Sequence, residues 1–245
     1  MLMRAVWSVV LIGLFGLTFQ DARAQADEKK FEVGGQFSLL RLDAPTATVR
    51  PLPCAGPLPP CPFSVSFTSG RDSEPGFGGR FGYNFSKYFA LEAEGNFFPR
   101  DRNFNQGRKV QGLFGVKAGR RFEKVGVFAK ARPGFIRFEK GDYRLGPAIG
   151  ICQALFPPLL LSCVVPVART HFNVDLGGVV ELYPSKRTII RFDAGDTIVR
   201  IGAHNMVAQF PPVPPSLAPT LLVVVPVAAR TTHNFQGSVG FGFRF

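Results

Sequence analysis

NFQGSVGFGFRF, residues 234–245, alternates without a fault. Phe235, Gly237, Val239, Phe241, Phe243 and Phe245 fall on one parity, and Asn234, Gln236, Ser238, Gly240, Gly242 and Arg244 on the other. A period of two describes a strand whose two faces meet different media. We read it as a strand that ends the protein, carrying an aromatic last residue that serves the strand itself.

Working back along the chain, the same period predicts seven more strands, at 30–42, 75–86, 88–98, 108–122, 125–138, 169–183 and 188–201. Their apolar parities include Phe31, Val33 and Phe37, then Phe77, Phe81 and Phe85, and Phe172, Val174 and Leu176. Eight is an even number, as a closed barrel of hairpins requires. In the seventh strand the alternation loses phase around Gly195-Asp196, which predicts a bulge there. The connections alternate short and long. Ser86-Lys87, Phe122 to Lys124 and Pro184 to Arg187 are tight, whereas Asp43 to Glu74, Pro99 to Gly107, Glu139 to Ala168 and Gly202 to Thr231 are extended. That sorting puts all the small turns at one end of the sheet and all the large loops at the other, as periplasmic turns and surface loops are sorted in an outer-membrane barrel.

Alternation alone does not say which face points inward. The polar parity carries Gly34, Gly78, Gly82, Gly115, Gly119, Gly126, Gly134, Gly177, Gly240 and Gly242, which would be wasted in water but make room for long charged neighbours inside a narrow barrel. The strands also reach lengths that suit a bilayer crossing, which takes about 9 to 11 residues at a tilt. Phenylalanine therefore faces lipid. The lumen then holds Glu32, Glu92, Glu94, Asp175, Glu181 and Asp193 against Arg80, Lys109, Lys117, Lys130, Arg132, Arg191 and Arg244, with Lys109, Glu32 and Arg244 expected at the rims in water. Near-equal numbers of acids and bases suit a self-neutralising plug, since buried charges persist only when paired.

The chain opens with a basic start at Met1 to Arg4, an apolar stretch from Ala5 to Phe19, and small-residue cleavage patterns at Ala22-Arg23-Ala24 and Ala24-Gln25-Ala26. This reads as a secretory signal over residues 1–24, or to Ala26, ahead of a barrel domain at 25–245. The apolar core is shorter than the roughly 20 residues of a spanning helix, and later apolar stretches are broken by Pro157, Pro158, Pro166, Pro219 and Pro226. Gly at 27, Pro at 21 and Phe at 26 of 245 residues favour strands and turns. The net charge of +12 would suit nucleic acid, but the charges are scattered and secretion removes that partner. Anionic lipid headgroups are the expected counter-charge.

The closing strand, with Phe241, Phe243 and Phe245 spaced by two, resembles that of Gram-negative outer-membrane barrels, and the eight strands and alternating loops resemble the barrel domain of the OmpA-like family. The resemblance implies an all-β, eight-stranded antiparallel up-and-down transmembrane barrel in the outer membrane. It also implies that the aromatic C-terminus is what the assembly machinery recognises, and that lipids are the first partners. The chain stops at strand eight, so the peptidoglycan-binding domain of full-length OmpA is not expected. The function implied is a plugged anchor displaying long loops for envelope integrity, adhesion or recognition.

Cys54 and Cys61 fall in the first long loop, and Cys152 and Cys163 in the third. Four cysteines allow three pairings; the local one, Cys54 with Cys61 and Cys152 with Cys163, is the most economical, and disulfides suit a secreted chain better than a metal site. Seven prolines between Pro45 and Pro62 stiffen the first loop. Val164 to Thr170 is similar to Val224 to Thr231. These stretches either extend strands six and eight and pack on each other, or form an apolar patch that binds a partner or a second copy. Two rival functions remain. A narrow passive pore would exploit the lumen glycines, and a lipid- or peptide-processing enzyme would need a triad. By parity His171 faces the lumen and His233 the outside, with His204 in a loop, so no such convergence is argued. No cofactor or metal is expected.

Overall fold

The computed structural model describes residues 29–42, 46–49, 65–68, 72–101, 107–145, 164–210 and 221–245. Among them lie the strands β1 (Phe31–Leu42), β2 (Thr46–Val49), β3 (Val65–Thr68), β4 (Asp72–Asn84), β5 (Phe89–Phe98) and β6 (Lys109–Arg121), followed by β7 (Val125–Leu145), β8 (Val164–Leu182), β9 (Thr188–Ile201), β10 (His204–Phe210), β11 (Leu221–Val227) and β12 (Arg230–Arg244). Eight of these close into a barrel in the order β1-β12-β9-β8-β7-β6-β5-β4. Every neighbouring pair is antiparallel, including the seam where β12 meets β1. The fold is an all-β, eight-stranded antiparallel up-and-down barrel.

The period of two sorts the side chains as the bilayer demands. Along β5, Ala90, Glu92, Glu94, Asn96 and Phe98 turn inward and are buried, while Phe89 and Leu91 turn outward. Outward phenylalanines are the most exposed apolar groups, with Phe77 at 58%, Phe114 at 60% and Phe172 at 57%. A closed barrel satisfies every ladder hydrogen bond between strands, so this apolar surface can lie in hydrocarbon without an unpaired edge.

The bulge expected at Gly195-Asp196 is not formed. β9 pairs residue for residue with β12 from Thr188 to Ile201, and with β8 from Ile190 to Arg200. The phase loss has another cause. Ile189, Arg191, Asp193, Thr197, Val199 and Ile201 all point inward, but near the long-loop end the inward positions become apolar and the outward positions, Asp196 and Arg200, become polar. The chain keeps its register while the polarity of the two faces exchanges at the edge of the membrane.

An irregularity occurs instead between Phe138 and Asp142 of β7, beyond which the ladder with β8 resumes from Asp142↔Val167 to Leu145↔Val164. The third connection is thus partly a hairpin that continues two barrel strands. Long connections one and four carry separate two-stranded sheets, β2 with β3 and β10 with β11. The two similar segments consequently differ in fate. Val164 to Thr170 continues β8, as one reading held, but Leu221–Val227 pairs with β10 and does not extend the last strand, and the two do not pair with each other. At the end of the second long connection, between β5 and β6, Gly107 adopts φ +67°, a left-handed conformation that lets the chain turn into β6. The four cysteines, the signal segment and Leu159 to Leu161 lie outside the described residues.

Candidate functional site

The ten side chains read as a lumen network, Arg80, Glu92, Glu94, Lys117, Lys130, Arg132, Asp175, Glu181, Arg191 and Asp193, are all buried within the barrel. They hang from β4 to β9, each on the inward parity of its strand. Register sets some neighbours directly, because Arg132 lies opposite Asp175 and Glu181 opposite Arg191. Others meet only across the lumen.

Towards the short-turn end, Lys117 Nζ reaches an oxygen from each of three carboxylates: Glu32 Oε2 at 3.1 Å, Glu92 Oε1 at 3.2 Å, and Glu181 Oε1. These three acids are close enough to hold a cation, their ligand atoms lying within 4.8 Å of one another, but the chain's own ammonium already meets their charge. Arg121 Nη2 donates to Glu32 Oε1 at 2.9 Å, Asn84 Nδ2 donates to the same oxygen at 2.9 Å, and the Tyr183 hydroxyl donates to Glu181 at 2.8 Å.

In the middle, Arg191 forks onto Glu92, with Nη2 to Oε2 at 2.9 Å and Nη1 to Oε1, and also reaches Asp193 at 2.9 Å. Arg132 donates to Glu94 at 2.6 Å and through Nε to Asp175 at 3.0 Å. Lys130 joins Asp175 at 2.7 Å and also Asp193. Such charge-assisted, forked pairs are the strong class of hydrogen bond, and their shared oxygens make one continuous network. Not every buried atom of the network is satisfied: Arg80 Nη1, Arg191 Nε and Asp175 Oδ1 have no hydrogen-bond partner.

Above the charges lies a neutral layer. Asn96 accepts from Gln36 at 2.9 Å and Ser38 at 3.0 Å and donates to Gln111 at 3.1 Å, while Gln111 and Gln236 exchange amide hydrogen bonds of 3.0 Å in both directions. Above that, Leu40, Phe98, Ile136, Phe138, Val199 and Ile201 form an apolar cluster across the lumen at the long-loop end. The barrel interior therefore runs from ions through amides to hydrocarbon, with the buried Lys109–Glu74 pair set beside Phe138 and Leu40 in the last layer.

The rim expectation needs correction at two of its three residues. Lys109 is buried and pairs with Glu74 at 3.0 Å, and Glu32 is buried among Lys117, Arg121 and Asn84. Each meets an opposite charge, which offsets the cost of taking it out of water. Arg244 does sit at an edge, stacked 4.2 Å from the Tyr183 ring centroid. Glu74 and Arg121 went unnoticed as members because Glu74 reads as loop and Arg121 as turn-proximal. The amide layer was legible, since its residues occupy the polar parity, but counting ions passed over it.

Some inward glycines make room for side chains as expected, a Cβ at Gly126 meeting the Tyr183 hydroxyl and one at Gly82 the Glu32 side chain at 3.4 Å, but others do a second job. A Cβ at Gly134 would lie 2.0 Å from the Gly112 carbonyl oxygen, so the residue chiefly permits close approach of neighbouring backbones. The histidines do not converge on a nucleophile: His171 Nδ1 accepts from the Gly202 amide at 3.3 Å, His204 Nδ1 lies 3.0 Å from the Gly202 carbonyl, and His233 faces outward beside Asp196. Asp142, buried at the base of the third loop, accepts from Arg169 and from the Asn205 amide at 2.8 Å, tying β10 to the β7–β8 hairpin. On the exposed side, Lys140 donates to Asp101 at 2.7 Å and holds that carboxyl below its ordinary range.

Against this geometry, the family profile described as outer membrane protein beta-barrel domain matches residues 9–199. No curated protein matches. Among solved structures, the attachment invasion locus protein Ail of Yersinia pestis is 11% identical, with 89% of this chain and 100% of that chain covered at a TM-score of 0.42. The N-terminal β-barrel domain of Pseudomonas aeruginosa OprF is 8% identical, covering 89% and 100% at 0.43, and Neisserial surface protein A is 12% identical, covering 88% and 97% at 0.42.

Proposed function

For a chain that belongs to the outer membrane protein beta-barrel domain family, and so lies in the outer membrane, we propose the role of a plugged anchor that displays its long connections at the cell surface for envelope integrity, adhesion or recognition. The observation that carries this is the filled lumen. Arg132, Arg191, Lys117 and Glu181 are almost wholly buried, and the apolar cluster around Phe138 and Ile201 lies over them. An ion entering from the loop end would meet hydrocarbon beside the closed Lys109–Glu74 pair first and a neutralised salt-bridge lattice deeper in, neither of which offers the one-signed ring that a selective passage uses.

On this reading the tight turns face the periplasm and the β2–β3, β7–β8 and β10–β11 hairpins stand outside. These hairpins give the surface loops folded stems, so what they present is held in place by backbone pairing. Planar-bilayer recording tests the plug: a silent baseline is expected, and steady single-channel current from the unsubstituted protein would replace the anchor by a pore. Proteolysis of intact cells tests the display, with cuts expected in the long connections and none in the tight turns.

A further inference from the structure

The tight-turn end carries a collar of one charge sign. Lys30, Lys87, Arg120, Lys124, Lys186 and Arg187 are exposed there, against the single exposed acid Glu123 among the described residues of that end. The long-loop end carries exposed bases too, Arg41, Arg100, Arg108, Arg137, Arg144 and Arg200, but acids stand among them: Asp101 and Glu139 are exposed, Lys140 pairs with Asp101 and Arg169 with Asp142.

Two further observations fix what this collar would meet. First, its cations stand at the edge of the apolar belt, beside rings. Lys87 Nζ lies 5.2 Å from the Tyr88 ring centroid and the Arg120 guanidinium 5.6 Å from that of Phe122, while Phe85 stacks on Phe89 at 6.0 Å. Aromatic rings with adjacent long cationic stems mark the depth at which hydrocarbon gives way to headgroups. Second, each turn is tied by its backbone to a neighbouring strand or turn. The Tyr183 amide donates to the Lys124 carbonyl at 2.9 Å, the Arg244 amide to the Arg187 carbonyl at 2.9 Å, and the Gly119 amide to the Tyr88 carbonyl at 2.8 Å. Ser86 and Ser185 hydroxyls accept from amides within their own turns. The cations are thus held on a stiff ring and do not depend on a flexible tail to find their partner.

We propose that this collar binds the phosphates of anionic glycerophospholipids, of the phosphatidylglycerol type, in the leaflet at the tight-turn end. A cation at headgroup depth is attracted by the negative surface of such a leaflet, and several on one ring act together. The assignment to the periplasmic leaflet rests on the orientation proposed above; the lipid preference itself does not.

The experiment uses the folded full-length barrel reconstituted in phosphatidylcholine vesicles containing trace spin-labelled phosphatidylglycerol or phosphatidylcholine, and reads the motionally restricted fraction of each. At low salt the anionic lipid should associate at least about threefold more strongly, and the ratio should fall toward one as salt rises from about 0.01 M to about 1 M, over which the screening length drops from roughly 30 Å to 3 Å. The variant K87Q/K124Q/K186Q/R187Q should lose the preference, and R41Q/R137Q/R200Q, at the opposite end, should keep it. Equal association of the two lipids at low salt overturns the proposal without any variant. Retention of the preference in the tight-turn variant, or its loss only in the loop-end variant, overturns it as well. A conducting lumen would leave these results untouched, so the anchor reading and this one fail separately.

Discussion

Arg191 and Glu92 face each other across the lumen from β9 and β5, strands that share no ladder, and join fork to fork with Nη2 and Oε2 2.9 Å apart. The same carboxylate meets Lys117 Nζ at 3.2 Å. The pair is therefore a tie across the barrel, and it holds strands that are remote both in sequence and around the ring.

Replacing Glu92 by Gln removes the charge that Arg191 and Lys117 share, leaving Arg191 to Asp193 and Lys117 to Glu32 and Glu181. Removing one partner of a buried pair costs about 3–5 kcal/mol, whereas replacing both by apolar groups of similar volume can be close to neutral. E92Q is expected to lower the midpoint of urea unfolding in lipid vesicles more than the double variant E92L/R191M does. If the double variant is the weaker of the two, the tie is worth more than its desolvation cost.

Phe138 sits at the centre of the apolar cap and is 1% exposed. Phe138→Ala should cost about 3–5 kcal/mol through the cavity it leaves, again read from denaturant unfolding. Its conductance should stay at baseline, because the amide and ionic layers below still fill the lumen. Current through Phe138→Ala would mean that the cap alone is the seal.

Two glycines separate crowding from openness. A Cβ at Gly134 would lie 2.0 Å from a backbone oxygen, and one at Gly95 would meet nothing within 4 Å. Gly134→Ala should cost on the order of 1–3 kcal/mol by overpacking, and Gly95→Ala should stay within about 0.5 kcal/mol of the parent. The shift in electrophoretic mobility between heated and unheated protein reports the fraction folded in each. Equal fractions would show that the strands relax apart freely.

Phe245 exchanges both backbone hydrogen bonds with Phe31, at 3.0 and 2.9 Å, and their rings stack with centroids 6.1 Å apart. A ring contact alone would make Phe245→Ala and Phe31→Ala equivalent. We expect equivalence in refolding into detergent but a several-fold lower yield of folded Phe245→Ala barrel in cells, the outcome that follows if the assembly machinery also reads Phe245. Equal yields in cells would remove that second role from Phe245.

The architecture was largely legible because the bilayer imposes a strict period on every strand. Phe77, Phe114 and Phe172 on one parity and Glu92, Arg132 and Asp175 on the other could be sorted without coordinates. Where the reading faltered, the medium had changed. At Asp196 to Ile201 the strand leaves the membrane, outward residues become polar, inward ones become apolar, and unbroken pairing looks like a slip. The hairpins within the first and fourth loops were missed for a related reason. Val224-Val225-Pro226-Val227 is apolar on both parities, and Pro226 argues against a strand interior although it is tolerated on an edge.

Local alternation along the chain was enough to decide the eight strands of the barrel, the alternation of short and long connections, the lipid-facing surface and the sign of each group within. It could not decide which ions meet. Lys117 and Lys130 are directly opposite in the ladder between β6 and β7, yet Lys117 reaches Glu32, Glu92 and Glu181 while Lys130 reaches Asp175 and Asp193. Those partners depend on ring closure, which sets side chains from non-adjacent strands within a few ångströms of one another inside the narrow lumen, and no spacing along a single strand encodes that distance.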